Sequence, residues 1–305
     1  MSRILDGAAI AAGIRAEVAA KVRDMTGRGL LSPCLAVLLV GDDPASAVYV
    51  RNKEKACKEA GLRVRDHRLP ATASQAEILS LVRELGADPD VDGILVQLPL
   101  PRGIDSRAVI EAMNPDKDID GFHPVNVGRL WSSTRGFVPC TPLGVIEILQ
   151  REAIPIEGAQ AVVIGRSDIV GRPLAALLLQ RHATVTICHS RTRDLAAVAR
   201  RADILVAAIG VPALVTQEFI KPGATVIDVG INRVEDARIA RDLFADDPGR
   251  MTAMSRKGYV LVGDVHPLHV REKAGAYTPV PGGVGPLTIA MLLENTLRSA
   301  LQRRG

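Results

Sequence analysis

Short aliphatic runs, each stopped by glycine or proline, do most to limit what this chain can fold into. They are LAVLLVG (35–41), VDGILVQLPLP (91–101), AQAVVIG (159–165), ADILVAAIG (202–210) and ATVIDVGIN (224–232). Runs of this length without polar alternation read as strands buried on both faces, the habit of parallel sheets covered by helices. The stretches between them have helical spacing. After LAVLLVG, Asp42, Asp43 and Pro44 make a turn, Pro44 suits a helix start, and SAVYVRNKEKACKEAG runs to Gly61, a natural C-cap. LRVRDHRL (62–69) alternates as a strand, and ASQAEILSLVRELGAD reads as a helix before VDGILVQLPLP. This β-α-β-α-β order predicts a parallel sheet with right-handed crossovers.

A second series begins after residues 121–143, a Gly-, Pro- and Ser/Thr-rich stretch read as a linker or active-site wall. TPLGVIEILQREA (141–153) leads in as a helix. AQAVVIG, the helix IVGRPLAALLLQRHA, the strand ATVTICHS (183–190) and two further strands then form a unit of nucleotide-binding type. TPVPGGVGP (278–286) is a rigid loop, and LTIAMLLENTLRSALQ (287–302) a final helix.

Composition agrees with this class. Of 305 residues, 47% are hydrophobic but only 3% aromatic, so the core rests on Val, Ile, Leu and Ala. The net charge of +4, with no dense basic run and little aromatic interleaving, disfavours nucleic-acid binding and suits an anionic small molecule equally well. Cys34, Cys57, Cys140 and Cys188 form no CxxC pair and are expected as reduced thiols. The N-terminal segment carries charges throughout, unlike a signal peptide, and no apolar run reaches the roughly 18 residues of a membrane span. A cytoplasmic protein without membrane contact is expected.

The segment VVIGRSDIVGRP departs from a full GxGxxG. Gly165 ends the strand and Gly171 opens the helix, but Ser167 stands where the middle glycine would be. Its strand–turn–helix context would let amides at the helix start meet an anion. The next strand ends in Cys188-His189-Ser190-Arg191, with no carboxylate before Asp194. A carboxylate there would bind the ribose hydroxyls of NAD and repel a 2′-phosphate. Ser190 can instead hydrogen-bond to that phosphate, and Arg166 and Arg191 can pair with it, which favours NADP. The alternative leaves both arginines as solvated loop charges.

Ser46, Tyr49 and Lys53 share one helical face. They could be a packing tyrosine beside a surface charge. They could also be the Tyr-x-x-x-Lys pair of short-chain dehydrogenases, but there the pair follows the glycine motif, and here it precedes it by more than a hundred residues. Gln97 ends its strand at the edge where open α/β sheets bind ligands. Asp116, Asp118 and Asp120 alternate around Lys117, a spacing that suggests a metal, but the glycine and distal Glu of a calcium loop are missing, so no metal is expected.

Taken in order, SAVYVRNK, VQLPLP, KDIDGFHP, GRSDIVGRP and TPVPGGVGP resemble the bifunctional methylenetetrahydrofolate dehydrogenase/methenyltetrahydrofolate cyclohydrolase family over nearly the whole chain. The resemblance implies a two-domain α/β fold: a parallel-sheet catalytic domain (1–140 with 286–305) and a Rossmann-type NADP-binding domain (141–285), with the folate in the cleft between them. It implies NADP-dependent oxidation of 5,10-methylenetetrahydrofolate, then hydrolysis to 10-formyltetrahydrofolate, in the one-carbon metabolism that feeds purine biosynthesis. By similarity, Lys53 is the catalytic lysine, Gln97 supports it, Tyr49 packs on the aminobenzoyl ring and Asp120 binds the pterin. Pro281, Gly282, Gly283, Val284 and Gly285 would line the folate site, and Gly165, Arg166, Ser167, Ser190 and Ile231 would hold the cofactor. A homodimer is implied as well.

The residue types suit these tasks. Hydride loss from a methylene between two nitrogens leaves a delocalised cation and asks mainly for orientation. Hydrolysis asks for a base, and a lysine serves only when neutral, a form that a cationic intermediate and loss of water both favour. Two alternatives remain: a dehydrogenase of this fold without hydrolysis or with NAD, and a non-catalytic nucleotide-binding protein. Lys53 and Gln97 argue against the loss of hydrolysis, and Ser190 and Arg191 against NAD. Leu287 and Tyr277 depart from the family's usual methionine and aliphatic residue, and 234–265 is read as a surface insertion longer than the family's usual hairpin.

Overall fold

The computed structural model describes residues 2–304 apart from Ala245. From the N-terminus, β1 (Arg3–Ile4) and α1 (Gly7–Gly27) lead to β2 (Cys34–Val40), α2 (Pro44–Glu59), β3 (Arg63–Leu69), α3 (Gln75–Ala87) and β4 (Gly93–Val96). Helices α4 (Ser106–Glu111), α5 (Pro124–Trp131) and α6 (Cys140–Arg151) follow. The second series is β5 (Gln160–Ile164), α7 (Gly171–Leu179), β6 (Thr184–Cys188), α8 (Leu195–Ala199), β7 (Ile204–Ala207) and β8 (Thr225–Asp228). Then come β9 (Asn232–Val234), α9 (Ala237–Leu243), α10 (Pro248–Lys257), β10 (Val260–Val262), α11 (Pro267–Lys273), β11 (Ala276–Tyr277) and α12 (Val284–Arg304).

The chain divides into two compact units, one of residues 11–140 with 289–305, the other of residues 1–10 with 141–288. In the first, a parallel sheet has the order β3-β2-β4. All seven residues of β2 are buried, as its unbroken apolar run requires of a central strand. Ala36, Leu38 and Val40 pack with Ile94 and Val96 against Ile78, Val82 and Leu85 of α3. Helix α2 starts where Asp43 caps it, accepting from the Ser46 amide at 2.7 Å, and Pro44 fills the first turn. It ends at Gly61, whose φ of 81° is left-handed.

In the other unit a six-stranded parallel sheet runs β1-β11-β8-β7-β5-β6. The chain passes from β5 outward to β6 and returns on the other side to β7, so the sheet reverses direction at β5 and β7. Ligands of open α/β sheets bind beyond the strand ends at such a reversal.

Four expectations need adjustment. Residues 1–10 belong with the second unit, because Arg3 and Ile4 add β1 as an edge strand beside Ala276 and Tyr277. The stretch 121–143 is partly helical: His123 accepts from the Val125 amide at 3.1 Å, Pro124 sets the first turn of α5, and Asn126 and Leu130 are buried beneath it. Helix α12 begins at Val284, so the last part of the glycine loop is helical, with Pro286 tolerated in the first turn. Segment 234–265 has a core of its own, with Val234, Ala240, Leu243, Phe244, Met254, Val260 and Val262 buried together over the antiparallel pair β9 and β10.

Candidate active site

In the unit of residues 11–140, Lys53 projects from α2 and its Nζ donates to Gln97 Oε1 at 3.1 Å. Gln97 stands just past β4. Its backbone amide bonds to Leu38 O at 2.9 Å and its side-chain amide to Leu98 O at 2.7 Å, which fixes the oxygen toward Lys53. Tyr49 lies one helical turn before Lys53 and is 51% exposed, so it is half-buried, with the rest of its surface in solvent. Its ring is open to a ligand.

The KDID segment resolves into separate jobs. Asp116 pairs with Arg129 at 2.8 Å. Lys117 is buried, and its Nζ donates to the carbonyls of Leu85 (3.1 Å) and Asp88 (2.5 Å) at the end of α3. Burial lowers the Lys117 pKa to about 8. Asp118, fully buried, accepts from the His123 amide at 2.8 Å and Asn126 Nδ2 at 2.9 Å, and so anchors the start of α5. The three carboxylates therefore do not converge. Of the three, only Asp120 feels the Lys53 charge appreciably. Burial raises its pKa, against the opposing pull of the Lys53 charge and a hydrogen bond from the Cys140 thiol. Cys140 is in turn held by Asn295, whose Nδ2 also donates to Ile119 O (2.8 Å) and Val138 O (3.1 Å).

In the other unit the turn after β5 is as tight as its glycines suggest. Gly165 has a φ of 130°, and a Cβ there would lie 2.1 Å from Ala208 O. A Cβ on Gly171 would lie 2.1 Å from Gly165 O, so this glycine serves close packing of α7 on the turn. Ser167 Oγ accepts from the amides of Val170 (3.2 Å) and Gly171 (3.4 Å), so the serine itself satisfies amides that were expected to face an anion. Arg166, Ser190 and Arg191 are exposed, and neither arginine has a carboxylate partner among the described residues. Asp168, the nearby acid, is paired with Arg172. These residues fit a dinucleotide carrying a 2′-phosphate: exposed cations and a hydroxyl beyond β6, and no carboxylate to repel the phosphate.

Ile231, 48% exposed, follows β8, and its Cδ1 would lie 3.3 Å from a Cβ on Gly285. In the PGGVG loop, Pro281 is exposed, Gly283 and Val284 are buried, and Gly282 has a φ of 106° while its carbonyl accepts from Ala8 N at 2.9 Å. The guanidinium of Arg250 bonds to Val280 O and, at 3.0 Å, to Leu261 O, tying α10 to this loop. Sequence reasoning missed Asn295, Arg250 and two buried carboxylates, Asp228 and Asp264. The only sequence hint of the carboxylates was the mirrored pair Asp-Val-Gly at 228–230 and Gly-Asp-Val at 263–265.

A turn built for a dinucleotide, together with a lysine held by a neutral amide near a carboxyl, defines a class of nucleotide-dependent α/β enzymes assembled from two units. Within that class the chain belongs to the tetrahydrofolate dehydrogenase/cyclohydrolase family, whose catalytic domain matches residues 5–120 and whose NAD(P)-binding domain matches residues 139–304. It is 57% identical to the bifunctional protein FolD of Koribacter versatilis over 305 residues, covering 100% of this chain and 99% of that one. The bifunctional FolD dehydrogenase/cyclohydrolase of Campylobacter jejuni superposes with a TM-score of 0.90 at 45% identity, covering 99% of this chain and 100% of the other. The Trypanosoma brucei dehydrogenase-cyclohydrolase, solved with NADP cofactor and inhibitor, gives 0.89 at 40% identity over 99% and 98%. The match with the Koribacter protein runs end to end, segment 234–265 included. No helix among the described residues is long and apolar enough to cross a membrane, and the four cysteines are free and buried.

Proposed function

We propose that this chain oxidises 5,10-methylenetetrahydrofolate with NADP and hydrolyses the resulting 5,10-methenyl cation to 10-formyltetrahydrofolate. The observation that carries the reading is the 3.1 Å contact of Lys53 Nζ with Gln97 Oε1, with Asp120 close enough to feel the lysine's charge. NADP, when bound, supplies the hydride acceptor. The chain's own residues orient and hydrolyse. The exposed face of Tyr49 holds the aminobenzoyl ring, and Asp120 accepts from the amino-pyrimidinone edge of the pterin, a charge-assisted pairing. Hydride loss from the methylene carbon then needs alignment rather than a strong base.

For hydrolysis, Lys53 acts as the base, taking a proton from water as the water oxygen adds to the methenyl carbon. The tetrahedral adduct opens by breaking the bond to N5: the lysine gives its proton to N5, the adduct's hydroxyl proton is released to solvent as the C=O forms, and the formyl group stays on N10. Gln97 steers the lysine by a hydrogen bond that adds no charge. Arg166, Ser190 and Arg191 select NADP, Gly165 and Gly171 form the turn that admits it, and Ile231 with residues 281–285 adjoins its reactive end. The four buried free thiols support a reducing compartment such as the cytoplasm. We also propose a homodimer, on family likeness, and sedimentation showing only monomer would remove that part.

The test is a paired assay on wild type and Lys53→Met. One arm follows NADP reduction with methylenetetrahydrofolate. The other follows loss of methenyltetrahydrofolate absorbance without nucleotide, corrected for spontaneous hydrolysis. Wild type should do both, and the variant should lose hydrolysis. A wild type that reduces NADP but does not speed hydrolysis would make this a dehydrogenase only.

A further inference from the structure

Two buried carboxylates interlock behind the ends of β7 and β8. Asp264 Oδ2 accepts from the amides of Ile209 (2.5 Å) and Gly210 (3.0 Å), and its Oδ1 accepts from the Val211 amide (3.0 Å) and Asn232 Nδ2 (2.9 Å). Three consecutive amides turned on one anion form a nest, the arrangement that elsewhere receives a phosphate. Here the chain fills it with its own carboxylate. Asp228 does the converse: its Oδ1 accepts from Gly230 N (3.0 Å) and Asp264 N (2.9 Å), and its Oδ2 from Val265 N (2.9 Å). Each acid lies over the other's glycine. A Cβ on Gly230 would stand 2.3 Å from Asp264 Oδ1, and one on Gly263 would stand 1.7 Å from Asp228 Oδ2.

The groups Asp264 holds are the loop leaving β7, at the sheet reversal, and the side chain of Asn232, which lies beyond the adjacent strand β8 and immediately after Ile231. Asp264 itself is 0% exposed and reaches no ligand. We infer that Asp264 is a positioning residue for the dinucleotide: by clamping residues 209–211 and Asn232 it sets the backbone that frames the nicotinamide end. This rests on the dehydrogenase/cyclohydrolase reading. Asp264 belongs to hydride transfer and has no part in the lysine chemistry, which gives it a signature that a merely structural residue lacks.

The experiment compares wild type, Asp264→Ala and Asp264→Asn. It measures kcat and KM for NADP, NADP affinity by calorimetry, and nucleotide-free hydrolysis of methenyltetrahydrofolate. Loss of several hydrogen bonds to a charged group should raise the KM and Kd for NADP by about tenfold or more in Asp264→Ala. Asp264→Asn, which keeps one acceptor and the shape, should fall between and serves if the alanine variant does not fold. Hydrolysis should persist in both. Unchanged NADP affinity, or equal losses in both activities, overturns the inference. If wild type turns over neither folate, the functional reading fails, yet the calorimetry still decides the role of Asp264.

Discussion

The two units prepare their sites by different means. In the unit of residues 11–140 the groups proposed to meet a ligand are side chains on or beside regular elements: Tyr49 and Lys53 on one face of α2, Gln97 just past β4, and Asp120 before α5. In the unit of residues 141–288 much of the site is backbone. Gly165 and Gly171 make a turn by leaving room, and Asp228 and Asp264 shape loops by gathering amides. Side-chain chemistry tolerates a shifted backbone poorly but a substituted neighbour well. Loops held by buried acids behave the other way: a single added methyl group disturbs them, while an exposed side chain can be lost at modest cost.

The largest effect should come from the first kind of site. On the proposed reading, Asp120→Ala removes an acceptor for two donors of the pterin edge. At about 1.5 kcal/mol or more for each charge-assisted bond, kcat/KM should fall on the order of 10²-fold in both reactions. NADP affinity, measured without folate, should stay as in wild type. A variant that loses NADP binding as well would show that the two sites are not prepared independently.

Next in size is a contrast of two glycines. Gly263→Ala drives a Cβ into Asp228 Oδ2 and should cost about 1–3 kcal/mol or more, read as a lower midpoint in urea. Gly128, on the exposed side of α5, has nothing within 4 Å of a new Cβ. Gly128→Ala should therefore be neutral or stabilise by roughly 0.5–1 kcal/mol, the helix preference for alanine. Equal effects at the two positions would erase the distinction between the units.

The same distinction decides what the sequence revealed. The strands were legible because buried parallel strands need unbroken aliphatic runs, and α2 was legible from Pro44 and Gly61. Tyr49, Lys53, Gln97 and Asp120 stood out because the role proposed for each rests in its own side chain, yet their assignment came from ordered motifs resembling a family and not from spacing alone. Asp228 and Asp264 did not stand out. Their partners are amides, which every residue has, and they are 36 positions apart with a folded segment between them. The edge strand β1 was missed because two residues carry no period, and α5 because proline and glycine suggested a loop where His123 and Pro124 cap a helix.

A smaller effect concerns pH. Burial raises the Asp228 pKa to about 7, from an unfolded value near 4. Below the unfolded value both states hold the proton and the contribution of this group to stability is whole. As pH rises toward 7 the unfolded chain ionises first, and the contribution is lost by the time the folded carboxyl ionises. Wild type should thus lose stability between about pH 4 and 7 relative to Asp228→Asn, which has no proton to release. The variant's misplaced amide adds an offset that does not vary with pH, so the slope of the difference carries the test. Parallel curves would place the Asp228 pKa in its ordinary range.

Smallest is the exposed cation beyond β6. Arg191 has no carboxylate partner among the described residues, so Arg191→Ala should leave folding unchanged. If it pairs with the 2′-phosphate, KM for NADP should rise by about tenfold while any activity with NAD stays the same, because only one of the two carries that phosphate. Salt supplies a second reading. Raising ionic strength should weaken NADP binding in wild type more than in the variant, since the pair lies in solvent and is screened within about 10 Å at 0.1 M. Parallel loss of NAD and NADP activity would mean that Arg191 supports the shape of the loop after β6, and would return the choice of cofactor to Arg166 and Ser190.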